Sequence, residues 1–267
     1  MPDSIPALSF VFSLIGLLIA FGVPIGLAIY CCRHHKGSLM AITTGAFCFI
    51  VGANFLEQLF HSLVFTAVPG LLQNAPLMIV YGCLAAGVFE ESARLLGLRY
   101  LCKRDNAPAI GFAYGIGHGG IEAILLFGFT MINNLIVMTM VNSGNAAQLL
   151  TGLTSEEQAI AQSQLSALAE LPATNFLAGG AERLFAISLH LALSMLVWMA
   201  VSRRIGMWGY PLAIGLHAFA DIPAMLYQTG LVSSIWLTEL LVLVFTAVVV
   251  MVVLKLYRDH VKQPLFA

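Results

Sequence analysis

The chain has 267 residues, of which 60% are hydrophobic and 9% are charged, and its mean hydropathy is +0.92. Soluble domains carry about 25% charged residues, so these values predict an integral membrane protein. Twelve Lys and Arg residues against 13 Asp and Glu give a formal charge of −1, without a basic stripe that could follow phosphates, which excludes nucleic acid as a partner. The five cysteines are expected to be free thiols rather than a disulfide scaffold.

Long apolar runs predict an all-α, polytopic membrane helix bundle of about seven transmembrane helices. The predicted helices cover residues 8–30, 39–68, 76–101, 107–138, 176–201, 208–228 and 235–257. The second and fourth are long for one crossing, which indicates tilt, a kink or an extension beyond the bilayer. The first predicted helix lacks the basic n-region of a cleavable signal peptide. It is therefore expected to remain in the protein as a helix. No linker divides the chain, so residues 1–267 are predicted to form one integral membrane domain.

The distribution of Lys and Arg between the helices predicts the orientation, because cytoplasmic loops retain positive charge. Basic residues lie at alternate connections, namely at Arg33 and Lys36; Arg99, Lys103 and Arg104; Arg203 and Arg204; and Lys255, Arg258 and Lys262. The other loops, including the segment 139–175, contain no Lys or Arg. We therefore expect the N-terminus outside and the C-terminus in the cytoplasm. The outer loop is expected to hold a short amphipathic helix near 155–170.

Polar and ionisable residues inside the predicted spans are the main indication of function. They are Asn54, Glu57, Gln58, His61, Glu90, Glu91, Arg94, His118, Glu122, Glu182, Arg183, His190, His217 and Asp221. One charge at the bilayer centre costs about 2.5–3.5 kcal/mol even on the lenient insertion scale. The groups must therefore face one another or a wet cavity inside the bundle. Spacings of three and four residues place several of them on common helix faces, as for Glu91 with Arg94 and His217 with Asp221.

Four different helices bring an ionisable group to one depth, about 15–18 Å from the cytoplasmic end of each helix at 1.5 Å per residue. These groups are Glu90, His118, His190 and His217. Arg94 is expected nearer the cytoplasm, and it can pair with Glu90 or Glu91. Glu122 and Asp221 are expected one turn further out, and Glu182 and Arg183 close to the outer interface. The shared depth predicts one functional site.

Some of these residues also have plain structural interpretations. Glu57 and His61 are typical of a polar face between helices or of a face that lines solvent. Glu182 and Arg183 can form a structural ion pair or an outer gate, or contact substrate. A single hydrogen bond would satisfy His190 within the membrane. Packing alone is a poor explanation for Glu90, His118 and His217 together.

A carboxylate beside imidazoles in a dry site can activate a water molecule, and neutral imidazoles can donate to a developing oxyanion. This chemistry permits peptide-bond hydrolysis. The same residues could alternatively bind zinc through His118, His190, His217 and either Glu122 or Asp221. The sequence contains no HEXXH motif and no GxSxG motif, and Asp221 is the only Asp within a predicted span, so other hydrolytic designs are less well supported.

Three motifs on these helices resemble those of a known superfamily. The stretches EESAR at 90–94, YGIGHGGIE at 114–122 and HAFAD at 217–221 resemble the three motifs of the intramembrane proteases that include the CAAX prenyl endopeptidases and PrsW. The HGGIE stretch, together with Glu182, Arg183 and His190, looks most like the bacterial YhfC branch. The resemblance covers a core of about 75–228. It implies residence in a bacterial cytoplasmic membrane.

The resemblance implies an intramembrane endopeptidase that acts on a membrane protein or peptide and has no obligatory cofactor. In this interpretation Glu90 activates water, Glu91 and Arg94 hold it in position, and His118 and His217 stabilise the oxyanion. Supporting or substrate-binding roles then remain for Glu122, His190, Asp221, Glu182 and Arg183. The EExxR spacing and the acidic ends of the last two motifs are closer to PrsW, so prenyl-protein processing is not implied.

Three alternatives remain open at the level of sequence. A zinc-dependent intramembrane metalloprotease would catalyse the same reaction with the same residues. A proton-coupled transporter could use the acids and imidazoles as a relay, although the chain lacks an inverted repeat. A noncatalytic scaffold would keep the fold without the chemistry, which the retained double Glu disfavours. The lipid bilayer is a partner in each case, and the sequence predicts neither the substrate nor the oligomeric state.

Overall fold

The computed structural model describes residues 4–35, 38–102, 105–261 and 264–265. Within these ranges the regular structure is helical and contains no strand. The α-helices are α1 (Ala7–His34), α2 (Ser38–Val51), α3 (Gln58–Ala67), α4 (Ala75–Leu96), α5 (Pro108–Glu122), α6 (Phe129–Asn142), α7 (Ser155–Glu170), α8 (Ala173–Val201), α9 (Gly209–Gln228) and α10 (Ile235–His260). The predicted all-α fold class is confirmed.

The two long predicted helices each contain a π-helical turn. The turn Gly52–Glu57 joins α2 to α3, and the turn Ala123–Gly128 joins α5 to α6. Both stretches are therefore single continuous spans, of 30 and 35 residues. Insertions of this kind are rare and occur mostly at functional sites. Here the first turn ends at Glu57, and the second follows directly after Glu122.

The chain crosses the membrane several times. Among the described residues, six helical stretches are long and apolar enough to span a bilayer. They are Ala7–His34, Ser38–Ala67, Ala75–Leu101, Pro108–Asn142, Ala173–Val201 and Ile235–His260. The predicted helix at 208–228 also forms, as the 20-residue α9, which reaches about 30 Å. It is less apolar than the other six because it carries His217 and Asp221.

Local signals explain several helix boundaries. The side chain of Asn74 accepts a hydrogen bond from the amide of Leu77 and caps α4, and α5 begins at Pro108. Thr154 and Glu157 form a reciprocal capping box at the start of α7. A helix is therefore present at the position predicted, near 155–170, whereas its location on the outer face stays a prediction. It lies outside the membrane-spanning segments, and most of its residues are exposed.

Helix α5 packs closely between α2 and α8, because its glycines let neighbouring backbones approach closely. A Cβ atom on Gly117 would overlap the carbonyl oxygen of Ile42 in α2. On the opposite face, a Cβ atom on Gly119 would lie 3.0 Å from Cβ of His190 in α8. The glycines of YGIGHGGIE therefore allow α2 and α8 to pack on both sides of His118.

The surface of the bundle matches a lipid environment. Large apolar side chains point outwards from α1, α2, α3, α4 and α10, among them Leu18, Leu39, Leu63, Val80 and Met251. The five cysteines are free thiols, as expected.

Four of the basic residues used to predict orientation, Lys36, Lys103, Arg104 and Lys262, lie outside the described residues. The orientation of the termini therefore stays a prediction.

Candidate functional site

One carboxylate oxygen, Oε2 of Glu90, lies at the centre of the site. It is 2.9 Å from Nε2 of His118, 3.8 Å from Nε2 of His217 and 3.9 Å from Nδ1 of His190. The four residues come from α4, α5, α9 and α8, and all are buried. The residues that the sequence places at one depth therefore meet around a single atom. We call Glu90, His118, His190 and His217 the Glu–His centre.

A fully buried ion pair supports the centre from the side of α4. The guanidinium of Arg94 pairs with Oε1 of Glu91, and neither side chain is exposed. The same Oε1 atom lies 2.7 Å from Nδ1 of His217. Sequence spacing allowed Arg94 to pair with Glu90 or Glu91. The structure selects Glu91 and leaves Glu90 to contact His118.

The contacts of His190 define its tautomer. Its Nδ1 atom lies 3.0 Å from a terminal nitrogen of Arg94. A guanidinium can only donate, so Nδ1 accepts, and the proton of the neutral imidazole is on Nε2. Nε2 in turn lies 2.5 Å from Oε2 of Glu122. His190 is therefore held between a cation and a carboxylate.

An ionic cluster formed by Glu182, Arg183 and Glu122 lies next to Nε2 of His190. The guanidinium of Arg183 pairs with Glu182 and lies 3.1 Å from Oε1 of Glu122. Glu122 thus joins Arg183 to His190. The expected pair of Glu182 and Arg183 forms, and it is connected to the Glu–His centre rather than isolated at an interface.

The remaining predicted site residue, Asp221, lies at the edge of the centre. Its Oδ2 atom is 3.6 Å from Nε2 of His217, one helical turn away on α9. Its side chain is 28% exposed, unlike the fully buried Glu91. Asp221 therefore faces both the centre and the adjoining cavity.

His118 has the most enclosed ring of the centre. Its ring packs edge-on against Phe49 at a centroid distance of 5.2 Å. Tyr114 precedes it by one helical turn on α5, and the two rings are stacked. Its Nδ1 atom is buried without a hydrogen-bond partner among the described residues. The ring is therefore oriented by packing on this side and by Glu90 on the other.

Part of the centre can hold a metal ion. Among the described residues, Glu90, His118 and His190 each offer a ligand atom, and these atoms lie within 4.8 Å of one another. Two imidazoles and one carboxylate form a donor set found in catalytic zinc sites. The sequence-based ligand set named Glu122 or Asp221 as the carboxylate. In the structure the carboxylate of this group is Glu90. The Glu122 carboxylate instead contacts Arg183 and Nε2 of His190.

Two polar features in the same half of the bundle extend beyond the predicted site. His61 lies 3.2 Å from Oε1 of Glu57 and 2.6 Å from the hydroxyl of Tyr81, so the polar face expected for Glu57 and His61 is present and also includes Tyr81. Sequence reasoning missed Glu239, a buried carboxylate on α10. Its signal is an isolated acid just inside the last predicted helix.

The fold and this centre define a class: a polytopic membrane protein with a buried, metal-capable Glu–His centre. Residues 19–242 match the model of a family described as YhfC intramembrane metalloprotease. The chain is also 36% identical to the Bacillus subtilis (strain 168) protein named "Uncharacterized membrane protein YhfC", over 90% of this chain and 93% of the relative. The chain belongs to the YhfC family. No solved structure matches it.

Proposed function

We propose that the protein is an endopeptidase that hydrolyses peptide bonds of membrane-associated proteins or peptides. The observation that carries this proposal is the position of Glu90 Oε2, within 3.9 Å of nitrogen atoms from three histidines. A buried carboxylate with imidazole neighbours can accept a proton from water while the rings stabilise developing negative charge. The family description as an intramembrane metalloprotease supports the same reaction.

A zinc ion fits the chemistry of the donor set and would be held by Glu90, His118 and His190. When bound, zinc would supply a Lewis acid that activates water and polarises the scissile carbonyl. The Glu122 carboxylate beside the other ring nitrogen of His190 supports this version, because histidines that bind metals usually have a carboxylate or a carbonyl oxygen next to that nitrogen.

One contact favours a second version without metal. The guanidinium of Arg94 already donates to Nδ1 of His190, and a metal using this nitrogen would replace that hydrogen bond. In the metal-free version Glu90 itself takes the proton from water, and His118 and His217 donate to the oxyanion. Arg94 then neutralises Glu91 and orients His190. Both versions require Glu90 and His118.

Purified protein tests the proposal with a membrane-spanning peptide as substrate. We expect wild-type protein to cleave it, and Glu90→Gln and His118→Ala to lose cleavage. Glu239→Gln is the matched control, since it removes another buried carboxylate that lies on α10. Full cleavage by both Glu90→Gln and His118→Ala would refute the assignment. Uptake driven by a pH gradient without any cleavage would instead support a transporter.

Metal analysis of the same preparations separates the two versions. One zinc ion per active chain, with activity lost to a chelator and restored by zinc, supports the metal-dependent version. Full activity in metal-free protein supports the glutamate-dependent version. Comparison of the membrane proteomes of cells expressing wild type and Glu90→Gln would then identify substrates, as fragments present only with the wild type.

A further inference from the structure

A polar cavity of about 470 Å³ leads away from the Glu–His centre. Its inner end is formed by Glu90, Glu122 and Asp221. Its walls carry polar side chains within an otherwise apolar bundle, including Asn54, Glu57, Gln58, His61 and Gln228. The volume is in the range of about 300–1,000 Å³ that is usual for ligand sites.

The cavity extends to one end of the bundle. On α4 its wall is formed by Met78, Gly82 and Ala86, which precede Glu90 at intervals of four residues and so share its face. On α9 the wall residues Ala224, Met225 and Gln228 follow His217. Both helices therefore place the cavity on the side where α3 ends and α4 begins. This end is opposite the one that carries Arg99 and Arg203.

Towards the basic end, the centre is closed by packed side chains. Tyr114 is fully buried one turn from His118, and Leu98, Leu193 and Trp198 belong to the same buried cluster. The hydroxyl of Tyr114 donates to the carbonyl oxygen of Ala93. Among the described residues, a second cavity lined by Glu90, His190 and His217 also reaches the centre, but its volume is only about 100 Å³. The polar cavity is therefore the wider approach to Glu90, and the apolar cluster blocks the direction of the basic end.

We infer that this cavity is the substrate cleft, and that an extended peptide segment enters it from the end opposite the basic loops. This inference rests on the proposed function. An extended strand inside a membrane needs hydrogen-bond partners for its backbone groups, since each unsatisfied group costs several kcal/mol. The amide side chains of Asn54, Gln58 and Gln228 can supply them. An apolar groove could not.

The depth of the cleft predicts where the peptide is cut. Met78 and Glu90 are 12 positions apart on α4, which corresponds to about 18 Å at 1.5 Å per residue. An extended peptide advances about 3.3 Å per residue, so about five or six residues fill the distance. The scissile bond therefore lies about five or six residues beyond the point at which the substrate enters the cleft.

Two matched substitutions on α4 test this cleft. Ala86→Phe places a ring in the cavity one turn from Glu90, whereas Leu84→Phe changes a side chain that is 48% exposed on the outer surface. We expect Ala86→Phe to lower kcat/KM for a membrane peptide at least about tenfold, mainly through KM, and Leu84→Phe to stay within about twofold of wild type. Equal activity of the two variants would overturn the inference.

A second pair keeps the test decisive if Ala86→Phe does not fold. Gln58→Cys lies in the cavity wall and Leu59→Cys points outwards. Each is treated with a bulky maleimide and compared with equally treated wild type. Cleavage should fall at least about tenfold only for labelled Gln58→Cys, and unchanged cleavage after complete labelling would refute the cleft. Wild type and Glu90→Gln are assayed in parallel: no cleavage by wild type would instead reject the proposed function.

Discussion

Oε2 of Glu122 lies 2.5 Å from Nε2 of His190, the ring nitrogen that faces away from Glu90. The two residues are 68 positions apart in the chain and come from α5 and α8. The contact orients the imidazole so that its other nitrogen, Nδ1, faces Glu90. Glu122 therefore acts on the centre through His190.

Glu122→Gln should lower cleavage because it removes the negative charge that lies beside Nε2 of His190 and orients the ring. Losing a carboxylate behind a metal-binding histidine typically costs about 10–100-fold in activity or metal affinity. We expect a loss in this range, measured as kcat, together with weaker zinc binding if the metal-dependent version holds. Glu182→Gln is the matched control, since Glu182 pairs with Arg183. An equal loss in both variants would contradict the orienting role of Glu122.

Glu91→Gln should destabilise the protein because it leaves Arg94 as an uncompensated charge. Both side chains are fully buried, and breaking such a pair from one side costs about 3–5 kcal/mol. The free energy of unfolding in detergent measures the effect. The double variant Glu91→Gln with Arg94→Met removes both charges and should recover part of the loss. A double variant as unstable as Glu91→Gln would show that the lone charge is not the cause.

Gly117→Ala should disrupt the contact between α5 and α2. The added methyl group would overlap the carbonyl oxygen of Ile42, and such overpacking typically costs about 1–3 kcal/mol. Cleavage should also fall, because His118 is the next residue. Gly22→Ala in α1 is the control, since its methyl group would have no neighbour within 4 Å. Thermal unfolding in detergent should show a lower Tm for Gly117→Ala alone.

The capping box of α7 predicts a pH dependence outside the membrane. Hydrogen bonds from the backbone amide and the hydroxyl of Thr154 lower the pKa of Glu157 below its usual value of 4.5. A carboxyl group with a lowered pKa in the folded state stabilises the helix above its unfolded pKa, and the stabilisation is lost as the pH falls through the folded value. Hydrogen exchange of the α7 amides should therefore accelerate in acid.

Thr154→Ala provides the control for this pH dependence. Without the hydroxyl, the reciprocal cap is incomplete, and exchange in α7 should be faster at neutral pH and change less in acid. An acid-induced increase as large as in the wild type would show that the capping box is not responsible.

The helical fold could largely be predicted from the sequence because each span is encoded locally. A long apolar run specifies a span, and Asn74, Pro108 and Thr154 specify where helices begin. Because the rise per residue of a helix is constant, the position of a side chain in a predicted helix also gives its depth in the membrane. Glu90, His118, His190 and His217 could therefore be grouped before their contacts were known.

The contacts themselves depended on tertiary structure. Sequence spacing left Arg94 with two possible carboxylates, and it named Glu122 or Asp221 as the carboxylate ligand of a metal, where the structure places Glu90. The packing of α8 against both α4 and α5 brings His190 next to Arg94 and Glu122, and only then is the position of its proton defined. The physical reason is range: apolar periodicity and caps act over a few residues, whereas the direction of a buried hydrogen bond depends on which helices meet across the bundle.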